Sequence, residues 1–236
     1  MEFNEIFRLQ YRLPWFLALA LRPSRKRGEV VELRRGLQKR VAQFLLKREV
    51  QRLRTNGEMV RLVIGAASTS YEGWLMTDLP VLDALNPSDW GYLFTQGSIH
   101  RILAEHVIEH WTRDEFCSFL RMVRPFLSEQ GFIRIAVPDG LHPDSSYIDY
   151  VKPGGSGCGA DDHKVLYNYI TMTSTLSEKQ YDYNLLEYFD ETGQFHRSRW
   201  KASDGFVERS ANYDARNRER PLSYTSLIVD AWPQKD

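Results

Sequence analysis

The run Val60-Arg-Leu-Val-Ile-Gly65 sets the reading of the fold: it is short, apolar, and stops on a glycine. Three further runs share its make. Trp74–Thr77 ends at Asp78, Ile99–Ala104 ends at Glu105-His106, and Phe132–Val137, rich in β-branched residues, closes at Pro138-Asp139-Gly140. Runs of four to eight apolar residues bounded by turn formers read as buried strands. Helix signals separate them. Asn86-Pro87 places a good N-cap before a proline suited to the first helical position. Thr112-x-x-Glu115 is a capping-box pattern, and Phe116, Phe119, Leu120, Val123 and Leu127 behind it fall on one helical face, with Pro125 bending the last turn. Strands alternating with helices imply an α/β fold with a mostly parallel, doubly wound sheet covered on both faces.

Outward from this core the chain changes character. Leu37, Val41, Phe44, Leu45 and Leu53 follow helical spacing, and Asn56-Gly57 stops that helix. Residues 1–57 therefore read as a helical N-terminal extension or lid, and 58–236 as the main domain. Past Gly140 a Gly/Pro/Asp-rich loop spans 139–162, and Asp162 is expected to cap a helix with Leu166, Tyr169 and Ile170 inward. Tyr183–Phe189 and Ser223–Ala231 read as two more strands. The polar stretch 190–221, carrying Phe195, Trp200 and Phe206, reads as a surface hairpin or flap.

Of 236 residues, 31 are basic and 31 acidic, yet residues 1–55 carry 14 basic and 5 acidic side chains, leaving the remainder acidic. The basic residues are spread along helical faces, which favours docking on the acidic domain or homodimerisation through the N-terminal helices over nucleic-acid binding. The longest apolar stretch, Trp15–Leu21, is too short for a transmembrane segment. Its charges sit on the wrong side for a signal peptide. Two cysteines, Cys117 and Cys158, make no disulfide framework, and a cytoplasmic setting is expected.

In open α/β sheets ligands sit beyond the carboxyl ends of the strands, where strand order reverses. Gly65, Asp78, Glu105 and Asp139 all fall there. The loop Gly65-Ala66-Ala67-Ser68 is expected to turn its N–H groups outward and let a ligand approach the main chain. Asp78, at the next strand end, stands where an acid accepts from both hydroxyls of a ribose. The pair favours a nucleoside, and the missing pyrophosphate fingerprint favours a single adenosine.

On Leu62-Val-Ile-Gly65, Gly73-Trp74 before Asp78-Leu79, Ala104-Glu-His-Val-Ile-Glu-His110, Phe132–Gly140 and Ala160–Asn168, the chain resembles the class I S-adenosylmethionine-dependent methyltransferases, a Rossmann-like family, over about residues 58–232. The resemblance is to a bacterial group of small predicted members. It implies S-adenosyl-L-methionine as cofactor and alkyl transfer, with a small-molecule or saccharide-type acceptor expected as substrate. By the same resemblance Gly65, Ala66 and Ala67 would lie against the methionine part. Asp78 and Leu79 would meet the ribose, Asp83 and Ala84 the adenine edge, and Glu105 and His106 the region near the sulfonium. Two positions depart from the family: Ala67 replaces a second glycine, and Ser128-Glu129-Gln130 replaces Lys-Pro-Gly.

An oxygen or ammonium acceptor must also lose a proton. His163, then Asp139 and His142, are the candidates for its base, and Tyr147, Tyr150, Tyr167 and Tyr169 could wall the pocket by cation–π contact. His106-x-x-Glu109-His110 also matches the inverted zinc-peptidase motif. That motif needs a further carboxylate ligand which nothing in the sequence selects, so no metal is expected. A second chemistry keeps the cofactor: its own α-amine closes a four-membered ring and expels methylthioadenosine, as in azetidine-2-carboxylate synthases. A third reading is a non-catalytic binding protein with a basic N-terminal arm.

Overall fold

A computed structural model describes residues 27–67, 69–220 and 222–235, with side chains from residue 36 onward. The apolar run Trp15–Leu21, the basic stretch ahead of Arg27 and Ser68 lie outside the described residues.

Seven strands form one sheet: β1 (Arg61–Ile64), β2 (Leu75–Met76), β3 (Ile99–Glu105), β4 (Leu127–Pro138), β5 (Tyr181–Phe189), β6 (Phe195–Arg197) and β7 (Ser226–Pro233). Their order is β2-β1-β3-β4-β7-β5-β6. The first four run parallel, with Ile64 beside Ala104 and Ala104 beside Ile135. β7 inserts antiparallel between β4 and β5, and β6 hairpins back on β5. The chain leaves β1 toward β2 and returns past it to β3. The strand order therefore reverses between β1 and β3, in a Rossmann-like arrangement.

The parallel strands are buried on both faces, which explains their near-continuous apolar sequence. On one face Leu62, Ile102, Ile133, Ile135 and Val229 pack under α2 (Pro87–Leu93), α3 (Arg113–Val123) and α5 (Tyr169–Glu178), while α4 (Ser145–Val151) packs Tyr147 and Val151 against Tyr224. Asn86 caps α2, accepting from Ser88 N–H, and Thr112 and Glu115 close a reciprocal capping box on α3. Pro125 ends α3 in a 3₁₀ turn, Arg124–Phe126. The opposite face is covered differently. Val63, Leu103, Ala136 and Ile228 are met by Trp74, Met76, Val207 and Trp200, so, among the described residues, 198–213 stand where a second helical layer would lie. The expected flap is thus partly a structural layer, and only β6 is a hairpin.

Helix α1 (Arg27–Thr55) ends in a Schellman motif: Glu58 N–H reaches Leu53 C=O, Gly57 N–H reaches Arg54 C=O, and Gly57 has φ +70°. Its docked face differs from the expected one. Leu37, Val41 and Phe44 are half or more exposed, whereas Gln43, Leu46 and Val50 are buried. The partner α2 explains the choice: Asp89 accepts from Lys39 (2.8 Å) and Gln43 (3.0 Å), and Gln43 also donates to Val81 C=O. A buried carboxylate needs those donors, so it fixes the helix's rotation. A second correction concerns Asp162. It ends a 3₁₀ turn (Ala160–Asp162), and α5 starts only at Tyr169, capped by a reciprocal Asn168–Thr171 pair. Ile170 is exposed as a result.

Candidate functional site

At the reversal point Gly65 takes φ +59°, and a Cβ there would sit 2.6 Å from Val107 Cγ2. Glycine is required here by conformation and space together. The loop behind it folds onto β2. Ala66 N–H donates to Thr77 C=O, and Ala67 N–H donates to Asp78 Oδ2 at 3.0 Å. These two N–H groups bond within the chain instead of pointing outward, a correction to the expected cradle. Asp78 also accepts from Leu79 N–H. Both its partners are main-chain amides, so a partly buried carboxylate retains lone pairs at the rim. Asp83 accepts from Leu85 N–H, and Ala84 C=O accepts from Trp90 Nε1.

Glu105 ends β3 and accepts from the N–H groups of Glu208 and Arg209. It ties down the loop layer. His106 then takes φ +54°. Its ring meets Ser226 Oγ at Nε2 (3.0 Å), stands 3.2 Å from Glu109 Oε1 at Nδ1, and stacks on Tyr224. Residues 108–110 form a 3₁₀ turn. The helical premise of the zinc-peptidase pattern is absent, since His106 and His110 share no α-helical face.

Beyond β3 a cavity of about 290 Å³ opens among His106, Glu109, His110, His163, Arg209 and Tyr224. Glu109 is 1% exposed and neither carboxylate oxygen receives a hydrogen bond. His163 reaches it on an extended segment held by Lys164 N–H and Val165 N–H, both donating to Glu109 C=O. His163 and His110 meet edge to face, 4.8 Å between ring centres. Arg216 lies over the Tyr224 ring and is paired with Asp214. Burial pushes the Tyr224 hydroxyl up to about 12.

The three base candidates therefore separate. His163 lines this cavity. Asp139 is fully buried, accepting from Leu141 and Phe189 N–H, and burial lifts its carboxyl to about 6. Its bonds hold the turn after β4 against the end of β5. His142 stacks on Tyr147, and its nitrogens bond Leu222 C=O and Asp144 N–H. It lines a separate cavity of about 340 Å³ with Phe189. Of the four tyrosines only Tyr150 lines the first cavity; Tyr147 donates to Thr225 C=O, and Tyr169 donates to Glu191. In the sequence Glu109 and His110 stand only as part of the inverted zinc-peptidase pattern. The signal that marks them, a carboxylate buried among histidines from residues 106–110 and 163, exists only after folding.

No family model matches the sequence, and no curated protein matches it. Among solved structures the chain is similar to an S-adenosylmethionine-dependent methyltransferase from Archaeoglobus fulgidus, with 15% identity, 80% of this chain and 92% of that one covered, and a TM-score of 0.41. A methyltransferase-like protein from Bacillus halodurans gives 11% identity, 79% and 99% coverage, and a TM-score of 0.40. The CurJ carbon methyltransferase gives 17% identity and a TM-score of 0.43 over 75% of this chain, which spans 49% of that protein's length. The likeness is one of fold. Among the described residues no helix is long and apolar enough to cross a membrane.

Proposed function

We propose that the protein is an S-adenosylmethionine-dependent transferase that methylates a small-molecule or saccharide-type acceptor. The observation that supports this most is one of adjacency. The strand-order reversal at Gly65, with Asp78 at the next strand end, lies beside a cavity that opens where β3 ends. His106 sits at the junction. Gly65, Ala66 and Ala67 would face the methionine part, Asp78 and Leu79 the ribose, Asp83 and Ala84 the adenine, and Glu105 and His106 the sulfonium side. The fit is consistent with Asp78, whose carboxylate has only main-chain N–H donors and can add ribose hydroxyls to them.

When bound, the sulfonium supplies an already activated alkyl carbon, so the chain's work is chiefly alignment. In that reaction His163 would accept the proton of the acceptor heteroatom as that atom is alkylated. The hydrogen bond from His163 Nδ1 to Val151 C=O (2.7 Å) leaves Nε2 as the proton acceptor. Arg209 and Tyr224 form part of the cavity wall beside it.

The test is calorimetric titration of the full chain with S-adenosylhomocysteine, followed by incubation with S-adenosylmethionine and chromatography. Saturable binding, and adenosylhomocysteine formed only with an acceptor, are expected. No binding overturns the cofactor assignment. Methylthioadenosine formed without an acceptor overturns methyl transfer in favour of intramolecular cyclisation.

A further inference from the structure

We infer that Glu109, His110 and His163 hold one divalent transition-metal cation of the zinc type, with a remaining coordination position open to the cavity. Their ligand atoms lie within 4.8 Å of one another. In a tetrahedral site with bonds of 2.0–2.1 Å such atoms stand about 3.4 Å apart, so small side-chain rotations close the set.

The hydrogen-bond count of the cavity asks for a cation. Glu109 is buried, and both its oxygens lack hydrogen-bond donors. A bare buried carboxylate is costly unless a positive charge faces it. The histidines present lone pairs. His163 Nδ1 lies 2.7 Å from Val151 C=O, which only accepts, so Nδ1 carries the proton and Nε2, 4.0 Å from Glu109 Oε1, does not. His110 Nδ1 meets Asp162 Oδ2 at 3.2 Å, which likewise leaves Nε2 bare. A ligating histidine commonly donates its other N–H to a carbonyl or carboxylate, which fixes the tautomer and orients the ring. One ring here has each kind of partner.

His106 sharpens the case. Ser226 Oγ donates its single proton to Arg209 C=O (2.7 Å), so His106 Nε2 must donate to Ser226 Oγ. In the neutral ring Nδ1 is then left with a lone pair, 3.2 Å from Glu109 Oε1. In that tautomer the two acceptors cannot satisfy each other, and a cation beside Glu109 satisfies the carboxylate. The site is also held firmly, because Glu109 C=O binds the N–H groups of Lys164 and Val165 next to His163. Two imidazoles, one carboxylate and an open position make a donor set suited to zinc. If the alkyl-transfer reading holds, the cation would replace His163 in activating the acceptor by binding its oxygen and lowering that oxygen's pKa, the proton passing to solvent water. Metal binding itself does not depend on that reading.

The test strips the full chain with a chelator, dialyses it against Zn²⁺, and measures stoichiometry by elemental analysis and affinity by competition. One ion per chain is expected, with affinity reduced at least tenfold in His163→Gln. Failure of the intact chain to retain zinc, or equal retention by His163→Gln, overturns the site. Should that variant not fold, Asp162→Asn decides, since Asp162 lies at the surface. Loss of about 10–100-fold in affinity, the usual effect of removing such an outer partner, supports the site, and unchanged affinity overturns it. The cofactor plays no part in these measurements, so their outcome is separable from that of the adenosylhomocysteine titration.

Discussion

Arg134 and Asp230 face each other across β4 and β7, the guanidinium donating from Nε and Nη2 to both carboxylate oxygens at 2.7 and 2.8 Å. Arg134 also donates to Lys201 C=O and Gly205 C=O and lies over the Trp200 ring. One buried cation thus joins two strands to the segment that covers the second face. Burial pushes the Asp230 carboxyl up even with this partner beside it.

Replacing Arg134 by Met should destabilise the fold by about 3–5 kcal/mol, because Asp230 and two carbonyls lose their buried partner. Urea denaturation measures this. In the Arg134→Met/Asp230→Leu double variant part of the loss should return, since the bare charge has gone.

Asp78→Ala should weaken S-adenosylhomocysteine binding by about 1–2 kcal/mol, the loss of hydrogen bonds to a charged group. Calorimetry on folded protein reads it directly. Unchanged affinity refutes the ribose assignment.

Asp139 gives a pH signature. Its carboxyl is raised by burial from the ordinary 3.8 to about 6, against the pull of two N–H donors. Folding therefore favours the protonated form. This stabilising contribution is complete below pH 3.8 and disappears as pH rises through about 6, a change of about 3 kcal/mol. Denaturation of the parent chain and Asp139→Asn across that window should diverge by this amount, and carboxyl NMR should place the titration near pH 6.

Gly65→Ala introduces a side chain at φ +59° and drives it against Val107. About 2–4 kcal/mol of destabilisation is expected from strain and overpacking combined. The penalty should shrink in a Val107→Ala background, which a double-mutant cycle would show.

Much of the sheet is legible in the sequence because its signals are local. Thr112 and Glu115, Asn86 and Pro87, and Asn56-Gly57 announce their turns within a few residues, and the runs ending at Gly65, Asp78, Glu105 and Asp139 mark four strands. Where partners lie far along the chain the reading loses its footing. Which face of α1 docks depends on Asp89, some fifty residues away, and spacing alone favoured Leu37, Val41 and Phe44. The same holds at the site. His163 was singled out, but its company with Glu109 and His110 comes from a main-chain clamp to Glu109 that leaves no pattern in the sequence. Asp139 and Glu105 looked like rim acids and are engaged with main-chain N–H groups from distant segments.

The layer formed by residues 198–213 also sets the timetable of folding. Val63, Leu103 and Ala136 precede Trp200 and Val207, which cover them, in the order of synthesis. Until then the nascent sheet carries a naked greasy side, and long-range closure of this kind is slow. Chaperone residence and the yield of folded product should hinge on this stretch, and a truncation just ahead of Ser198, which also removes the inserted strand β7, would leave an aggregating remnant in place of a smaller working domain.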